Sequence, residues 1–370
     1  MSARDALGMP VPPVAAVKGA TALRRLLGRA DDRATAPFQL VLERLFGVID
    51  TKTLFAVVEL GVPDVLADGP MRAADIAGRV GADADALERV LRYLTTRGLF
   101  RRRRGGRYAN NAATDLLRAG HPFSWRDWAM FLGSDWNTRI WDHLPARVRG
   151  EGDATTLAHG SDFFTYVNSV NPAAGEAFNG GQAAGSRVQG ALFAEHAPLT
   201  GVQSLCDVAG GTGSVLTAVL RAHPGMTGVV FDLPGLEDGA GRTFRAGGVD
   251  QRAGFTAGDF FVPGSVPSGY DLYTLFAITH DWGDDDCVRI LANVRAALPD
   301  RGRVMVVDGV LPRHGGRDFV TATDMMMLAY TAAGRERALP ELEAVFGRAG
   351  LVLRRRTTLP SLFDVFELTR

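Results

Sequence analysis

From Val202 onward, short apolar runs alternate with helical stretches: "VQSLCDVAG", "VLTAVLRAHP", "GVVFDLP", "YDLYTLFAI", "CVRILANVRAAL", "RVMVVDGVLP". No other feature constrains the chain so tightly. Runs of aliphatic and aromatic residues unrelieved by polar ones suit strands covered on both faces, and a helix after each strand makes the sheet parallel and doubly wound. The last stretch, "LVLRRRTTLPSLFDVFELTR", reads as two further strands, antiparallel to each other. In open sheets of this kind ligands bind outside the carboxyl ends of the strands. Those strand ends are therefore where chemistry is expected.

The first of them is "SLCDVAGGTGSVLTAVL", with Gly210, Gly211 and Gly213 between a strand and a helix. Absent side chains let a ligand approach the backbone, and a helix N-terminus favours an anion or carboxylate. A dinucleotide fingerprint requires Gly-x-Gly-x-x-Gly/Ala. Here Gly211-Thr-Gly-Ser-Val-Leu lacks the third small residue, and an acid, Asp207, precedes the loop. A carboxylate there pairs with an ammonium group and repels a pyrophosphate. The next strand ends on Asp232, placed to accept hydrogen bonds from ribose hydroxyls, and Asp259 beside Phe260 suits the amino edge and the face of adenine. Singly, each acid reads equally well as a cap or turn residue. In this order on successive strand ends they fit an amino acid joined to a nucleoside, and S-adenosyl-L-methionine is such a cofactor.

"FAITHDWGDDD" (276–286) breaks an apolar strand with His280, and the helical pattern of "CVRILANVRAAL" follows. Asp284, Asp285 and Asp286 suit the positive end of that helix. Asp281 reads as either a cap or a cofactor-side residue. A metal site is not expected, since the sequence offers no second cluster of oxygen ligands.

Residues 1–37 are rich in Pro, Ala, Gly and Arg and are expected to form an arm with one short helix, "TALRRLLGRA". Residues 38–119 begin with "FQLVLERLFGVIDTKTLFAVVELGVPDVLADG", expected to form two apolar helices with Pro63 opening the last turn of the second. Two short helices joined at Gly81, then strand, Gly-Gly turn and strand, make a winged-helix pattern. Its "RRRR" (101–104) admits a DNA-binding reading or one as a basic hairpin in a dimerisation domain. Lys+Arg and Asp+Glu both number 41, so no global field recruits nucleic acid or anionic membrane. Residues 120–198 are helical and dense in aromatics, Trp141 and Phe164 among them, which suits either a core or a pocket for a flat acceptor. Residues 199–370 form the cofactor domain. The expected fold is thus α/β, a Rossmann-like doubly wound sheet with a terminal antiparallel strand, behind a mostly α-helical N-terminal domain containing a winged helix. Two cysteines, no signal sequence and no long apolar run suit a cytoplasmic enzyme.

"DVAGGTG", "VVFDLPG", "GDFF", "HDWGDDD", "VVDGVLP" and "GRERA", in this order, resemble the class I S-adenosylmethionine-dependent O-methyltransferases of the plant caffeate/flavonoid type and their bacterial secondary-metabolite branch. "GVPDVLADGP" and "ADALERVLRYLTTRGLF" extend the resemblance to about residue 38. It implies a homodimer through the N-terminal domain and the product S-adenosyl-L-homocysteine. It makes His280 the general base, with Asp308 and Glu336 the acids flanking it. The cofactor is expected at Ser186, Asp207, Gly211, Asp232, Asp259, Phe260 and Trp282, and the acceptor at Trp141, Phe164, Met327 and Thr331. Four positions depart from the pattern: Ala209 for a glycine, Gln182 for a methionine, Thr279 for a leucine and Asp308 for the more frequent glutamate.

A sulfonium donor is already activated, so the protein must align an oxygen and take its proton. An imidazole of pKa about 6.5 faces a gap of about 3.5 units to a phenol, roughly 5 kcal/mol. An aliphatic alcohol raises the gap above about 9 units, roughly 12 kcal/mol. The expected acceptor is therefore a phenol of a small aromatic metabolite, polyketide-like or naphthoate-like. Alternatives are a scaffold of this kind repurposed for hydroxylation, decarboxylation or rearrangement, and a winged-helix regulator that senses the nucleoside.

Overall fold

The computed structural model describes residues 11–312 and 318–370. Residues 1–10, the start of the expected arm, lie outside them. The chain forms two compact units: the segment up to Arg29 with Gly150–Asp153 and Gly185–Arg370, and Ala30–Arg149 with Ala154–Ala184.

The second unit is helical. Helices Pro37–Leu45, Gly47–Glu59 and Val62–Val65 stand where two were expected. Pro63 lies in the first turn of the third, where a missing N–H costs nothing, and not in the last turn of the second. Strand β1 (Met71–Arg72), helices Ala73–Val80 and Ala84–Thr96, and strands β2 (Arg101–Arg103) and β3 (Arg107–Ala109) complete the winged helix. Gly81, at φ +69°, ends the first helix in the left-handed conformation, and Asp83 caps the second by accepting from the Ala86 N–H. The small sheet runs β1-β3-β2; β1 was not anticipated. In the aromatic stretch, Phe131 is buried and meets the rings of Trp128, Trp136, Phe163 and Phe178 at 5.2–6.3 Å between centroids. Phe131 and Phe163 are core, and the other three rings are half-buried around them. The unit also contains a cavity of about 670 Å³ lined by Leu54, Leu94, Leu117, Trp125, Trp128 and Leu132, among others.

The first unit is the doubly wound sheet. Its strands are β4 (Ser204–Val208), β5 (Thr227–Asp232), β6 (Ala253–Ala257), β7 (Leu272–Phe276), β8 (Arg303–Asp308), β9 (Val352–Thr358) and β10 (Asp364–Thr369), in the order β6-β5-β4-β7-β8-β10-β9. The first five are parallel; β10 is antiparallel to both β8 and β9. Side chains alternate between two cores: Val304 and Val306 face one, Met305 and Val307 the other. Both faces are apolar because both are covered. The chain winds outward from β4 to β6, returns, and winds the other way from β7, so the order reverses between β4 and β7. The expected strands and terminal antiparallel pair are present, and β6 is an addition. The short helical pattern expected near the N-terminus belongs to a longer helix, Val14–Ala34. No helix among the described residues is long and apolar enough to cross a membrane.

Candidate active site

Strand ends at the reversal point gather the polar residues. β4 runs into the glycine loop, whose glycines do different work. A Cβ on Gly210 would stand 2.6 Å from Asp207 Oδ2, and one on Gly213 would strike Phe244, so both positions need bare backbone for packing. Gly211, at φ +58°, has open space where a side chain would be. Its N–H donates to Asp232 Oδ2 at 2.8 Å, tying the loop to the end of β5. Ala209 adopts φ +56°, a conformation that glycine takes without strain.

Asp207 is 1% exposed. Its Oδ1 accepts from Thr274, whereas Oδ2 is buried with no hydrogen-bond partner among the described residues. Burial raises its pKa to about 7, against the Thr274 bond that lowers it, with the Asp232 charge adding to the rise. A buried carboxylate oxygen lacking a donor fits the ammonium of an amino-acid cofactor. Asp232 is raised by burial too, while N–H groups of Leu233 and Gly211 oppose the shift. Asp259 Oδ1 accepts from the Phe261 N–H. Phe260 and Phe261 meet Trp282 edge-on at 5.9 and 4.7 Å, an aromatic corner beside the strand ends. Ser186, on helix Pro172–His196, lies one turn before Gly190, which packs against Val215 at the start of the glycine-loop helix.

β7 ends at Phe276, and the chain leaves it through Ala277, at φ +52°, into the single turn Thr279–Asp281. Arg337, 1% exposed, clamps that turn: its guanidinium donates to Thr279 O, Trp282 O and Asp284 Oδ1 at 2.6–2.8 Å. The Cys287 thiol also meets Thr279 O, at 3.1 Å. Gly334 allows the following loop to lie on the His280 backbone, since a Cβ there would stand 2.7 Å from His280 O and Asp281 O. The Arg335 N–H donates to that same His280 O. The three acids after Gly283 occupy the first turn of helix Asp284–Ala297, as expected.

His280 Nδ1 lies 3.1 Å from Glu336 Oε1 and 3.3 Å from Asp308 Oδ1, both carboxylates being at most 3% exposed. Neither contact is aligned as a full hydrogen bond, so Nδ1 sits between two charges. Nε2 is 3.6 Å from Asp281 Oδ1, beyond hydrogen-bond reach, and is the nitrogen left to take a proton. Burial of the ring works against its charged form, but the Asp308 and Asp281 charges, with the close approach of Asp308 and Glu336 to Nδ1, raise its pKa well above 6.5. Burial, partly offset by His280, raises Asp281 to about 6. The donor atoms of His280, Asp308 and Glu336 lie within 4.8 Å of one another. Each carboxylate also accepts from a threonine: Asp308 from Thr279, Glu336 from Thr323 at 2.7 Å.

Met327 is buried in helix Phe319–Tyr330, and Thr331 ends that helix, donating to Met327 O. Trp141 and Phe164 belong to the helical unit, where Trp141 Nε1 donates to Asn137 and Phe164 meets Phe163. They do not line its cavity. Sequence reasoning missed both Thr323 and Arg337. Thr323 carries no motif of its own, and Arg337 lies in "GRERA", where only Glu336 was singled out.

Residues 141–352 match the family model of the O-methyltransferase domain, and residues 42–120 that of the O-methyltransferase dimerisation domain. The chain belongs to the O-methyltransferase family. It is an S-adenosylmethionine-dependent O-methyltransferase, and the reading as a repurposed scaffold is not favoured. A phenazine O-methyltransferase of Lysobacter antibioticus is 31% identical over 328 residues, 89% of this methyltransferase and 95% of the relative. A 3-amino-4-hydroxybenzoate 4-O-methyltransferase of Streptomyces cremeus is 33% identical over 322 residues, covering 86% and 87%. Among solved structures, an O-methyltransferase from neocarzinostatin biosynthesis, in complex with S-adenosylmethionine and 2-hydroxy-5-methyl naphthoic acid, matches with a TM-score of 0.69 and 31% identity. It covers 86% of this methyltransferase and 95% of that chain.

Proposed function

We propose that this methyltransferase methylates a phenolic hydroxyl of a small aromatic secondary metabolite, with His280 Nε2 taking the phenol proton. The observation that carries the reading is the imidazole held by two buried carboxylates at Nδ1, with Nε2 left for the acceptor. When bound, S-adenosylmethionine supplies an electrophilic methyl on a sulfonium. Asp207, Gly211 and Asp232 hold the amino-acid and ribose parts, with Ser186 beside the methionine moiety. Asp259, Phe260 and Trp282 surround adenine. Met327 and Thr331 contact the acceptor. Asp308 and Glu336 keep the Nδ1 proton in place and offset the charge that His280 gains. Raising the imidazole's basicity narrows the gap to a phenol; an aliphatic alcohol stays out of reach.

The aromatic hydroxy acids among the relatives' names support the acceptor class. Phe38, Val41, Leu42, Leu45, Val48 and Ile49, spaced along one face of two helices, are exposed in the single chain, and this stripe is the proposed homodimer contact. Two buried free cysteines suit a reducing cytoplasm. Incubation with S-adenosylmethionine and a panel of phenols, naphthols and aliphatic alcohols, followed by mass spectrometry, tests the reading. Methyl ethers of phenols alone are expected. Methylation of aliphatic alcohols at a comparable rate would overturn it.

A further inference from the structure

Two departures from the family pattern, Thr279 for leucine and Asp308 for glutamate, meet in space. The Thr279 hydroxyl donates to Asp308 Oδ2, and both residues are at most 2% exposed. A carboxylate only accepts, so the hydroxyl proton belongs to this contact. From this geometry we infer that Thr279 is a positioning residue: it fixes the short Asp308 side chain so that Oδ1 faces His280 Nδ1. The inference rests on the assignment of His280 as the base.

Several observations agree. The Thr279 backbone cannot drift, because Arg337 and Cys287 both hold its carbonyl. Asp308 ends β8, anchored to β10 opposite Asp364, whose carboxylate is occupied by Arg356 and Thr358. Asp308 Oδ1 is buried, has no hydrogen-bond partner among the described residues, and lies 3.3 Å from the imidazole Nδ1. Glu336, the other acid facing His280, has its own donor, Thr323, and its N–H is held by Asp324. Asp281 faces the ring from the opposite nitrogen. Each acid at Nδ1 thus comes with one buried hydroxyl that holds it turned toward the ring. A glutamate reaches further without such help; an aspartate does not.

With valine at 279, Asp308 loses the hydroxyl that turns it, and Oδ1 no longer stays fixed before Nδ1. A carboxylate turned away from the ring favours the imidazolium less. The His280 pKa then falls, and the acid limb of kcat/KM moves to lower pH with it.

The test is an NMR titration of His280, assigned through His280→Ala, in the full chain with and without S-adenosylhomocysteine. Thr279→Val is expected to lower its pKa by about one unit. Thr279→Ser restores it, as does the pair Thr279→Leu/Asp308→Glu. Cofactor affinity stays unchanged in all of them. An unaltered titration in Thr279→Val, or failure of the serine to rescue, would overturn the inference. Should Thr279→Val not fold, the leucine–glutamate pair decides: wild-type titration supports the inference, a lowered pKa defeats it. Full methylation of a phenol by His280→Ala would instead sink the assignment of the base. An inactive His280→Ala alongside an unaltered Thr279→Val would sink only the role of Thr279.

Discussion

The α/β unit and the helical unit misplace opposite kinds of residue. In the first, Asp207, Asp308, Glu336 and Arg337 are almost wholly buried. In the second, Phe38, Leu45 and Phe46 are at least 50% exposed. Either placement is unfavourable in isolation, because buried charge and exposed apolar surface both cost free energy. Each is tolerated where something is to be bound. The contrast separates a surface that waits for chemistry from one that waits for another chain.

Breaking the first side of the contrast has the largest expected effect. His280→Ala removes the base and lowers turnover by about 10²- to 10⁴-fold, while calorimetry finds cofactor affinity close to wild type. On the other side, Leu45→Asp puts a charge in the middle of the apolar stripe, and sedimentation should show a folded monomer in place of a dimer; a persisting dimer moves the interface elsewhere. Asp308→Asn keeps the shape but not the charge, and turnover should drop about tenfold with the fold intact.

The pH dependences sharpen the same point. A folded-state imidazole pKa above 6.5 means that turnover climbs as pH rises through that higher value, since only the neutral ring accepts a proton. Asp207 is also shifted upward, to about 7, and must ionise to meet an ammonium. Cofactor affinity should therefore weaken as pH falls through about 7, and calorimetry in two buffers of different ionisation enthalpy should detect a proton released on binding below it. Asp207→Asn should abolish that release. The smallest effect is Ala209→Gly, expected to stabilise by up to about 1 kcal/mol in thermal melts, because glycine takes φ +56° without strain.

The strands, the glycine loop and the acids at the strand ends were legible because each is a local pattern with a fixed period. His280 could be found because it ends an apolar run abruptly. β6, "AGFTA", was hidden by its glycine and by its small residues, although Ala253 and Phe255 pack against one core. The helix break at Phe46 has no glycine or proline beside it on the N-terminal side, so periodicity ran through it. The contact of Thr279 with Asp308 joins positions 29 residues apart. Read along the chain, the threonine was only a missing leucine; its partner came into view with the sheet register that brings β7 beside β8.

β10 has a consequence for how the molecule is made. Although it comes last of the ten strands, it is flanked on both sides, by β8 and β9, and buries Val365, Phe366 and Leu368. A nascent chain therefore carries β8 with one open edge until residues 364–369 leave the ribosome, and only then is that edge sealed. Synthesis stalled before this point yields a sticky half-sheet, so chaperones should hold the chain most firmly between the emergence of β8 and that of β10.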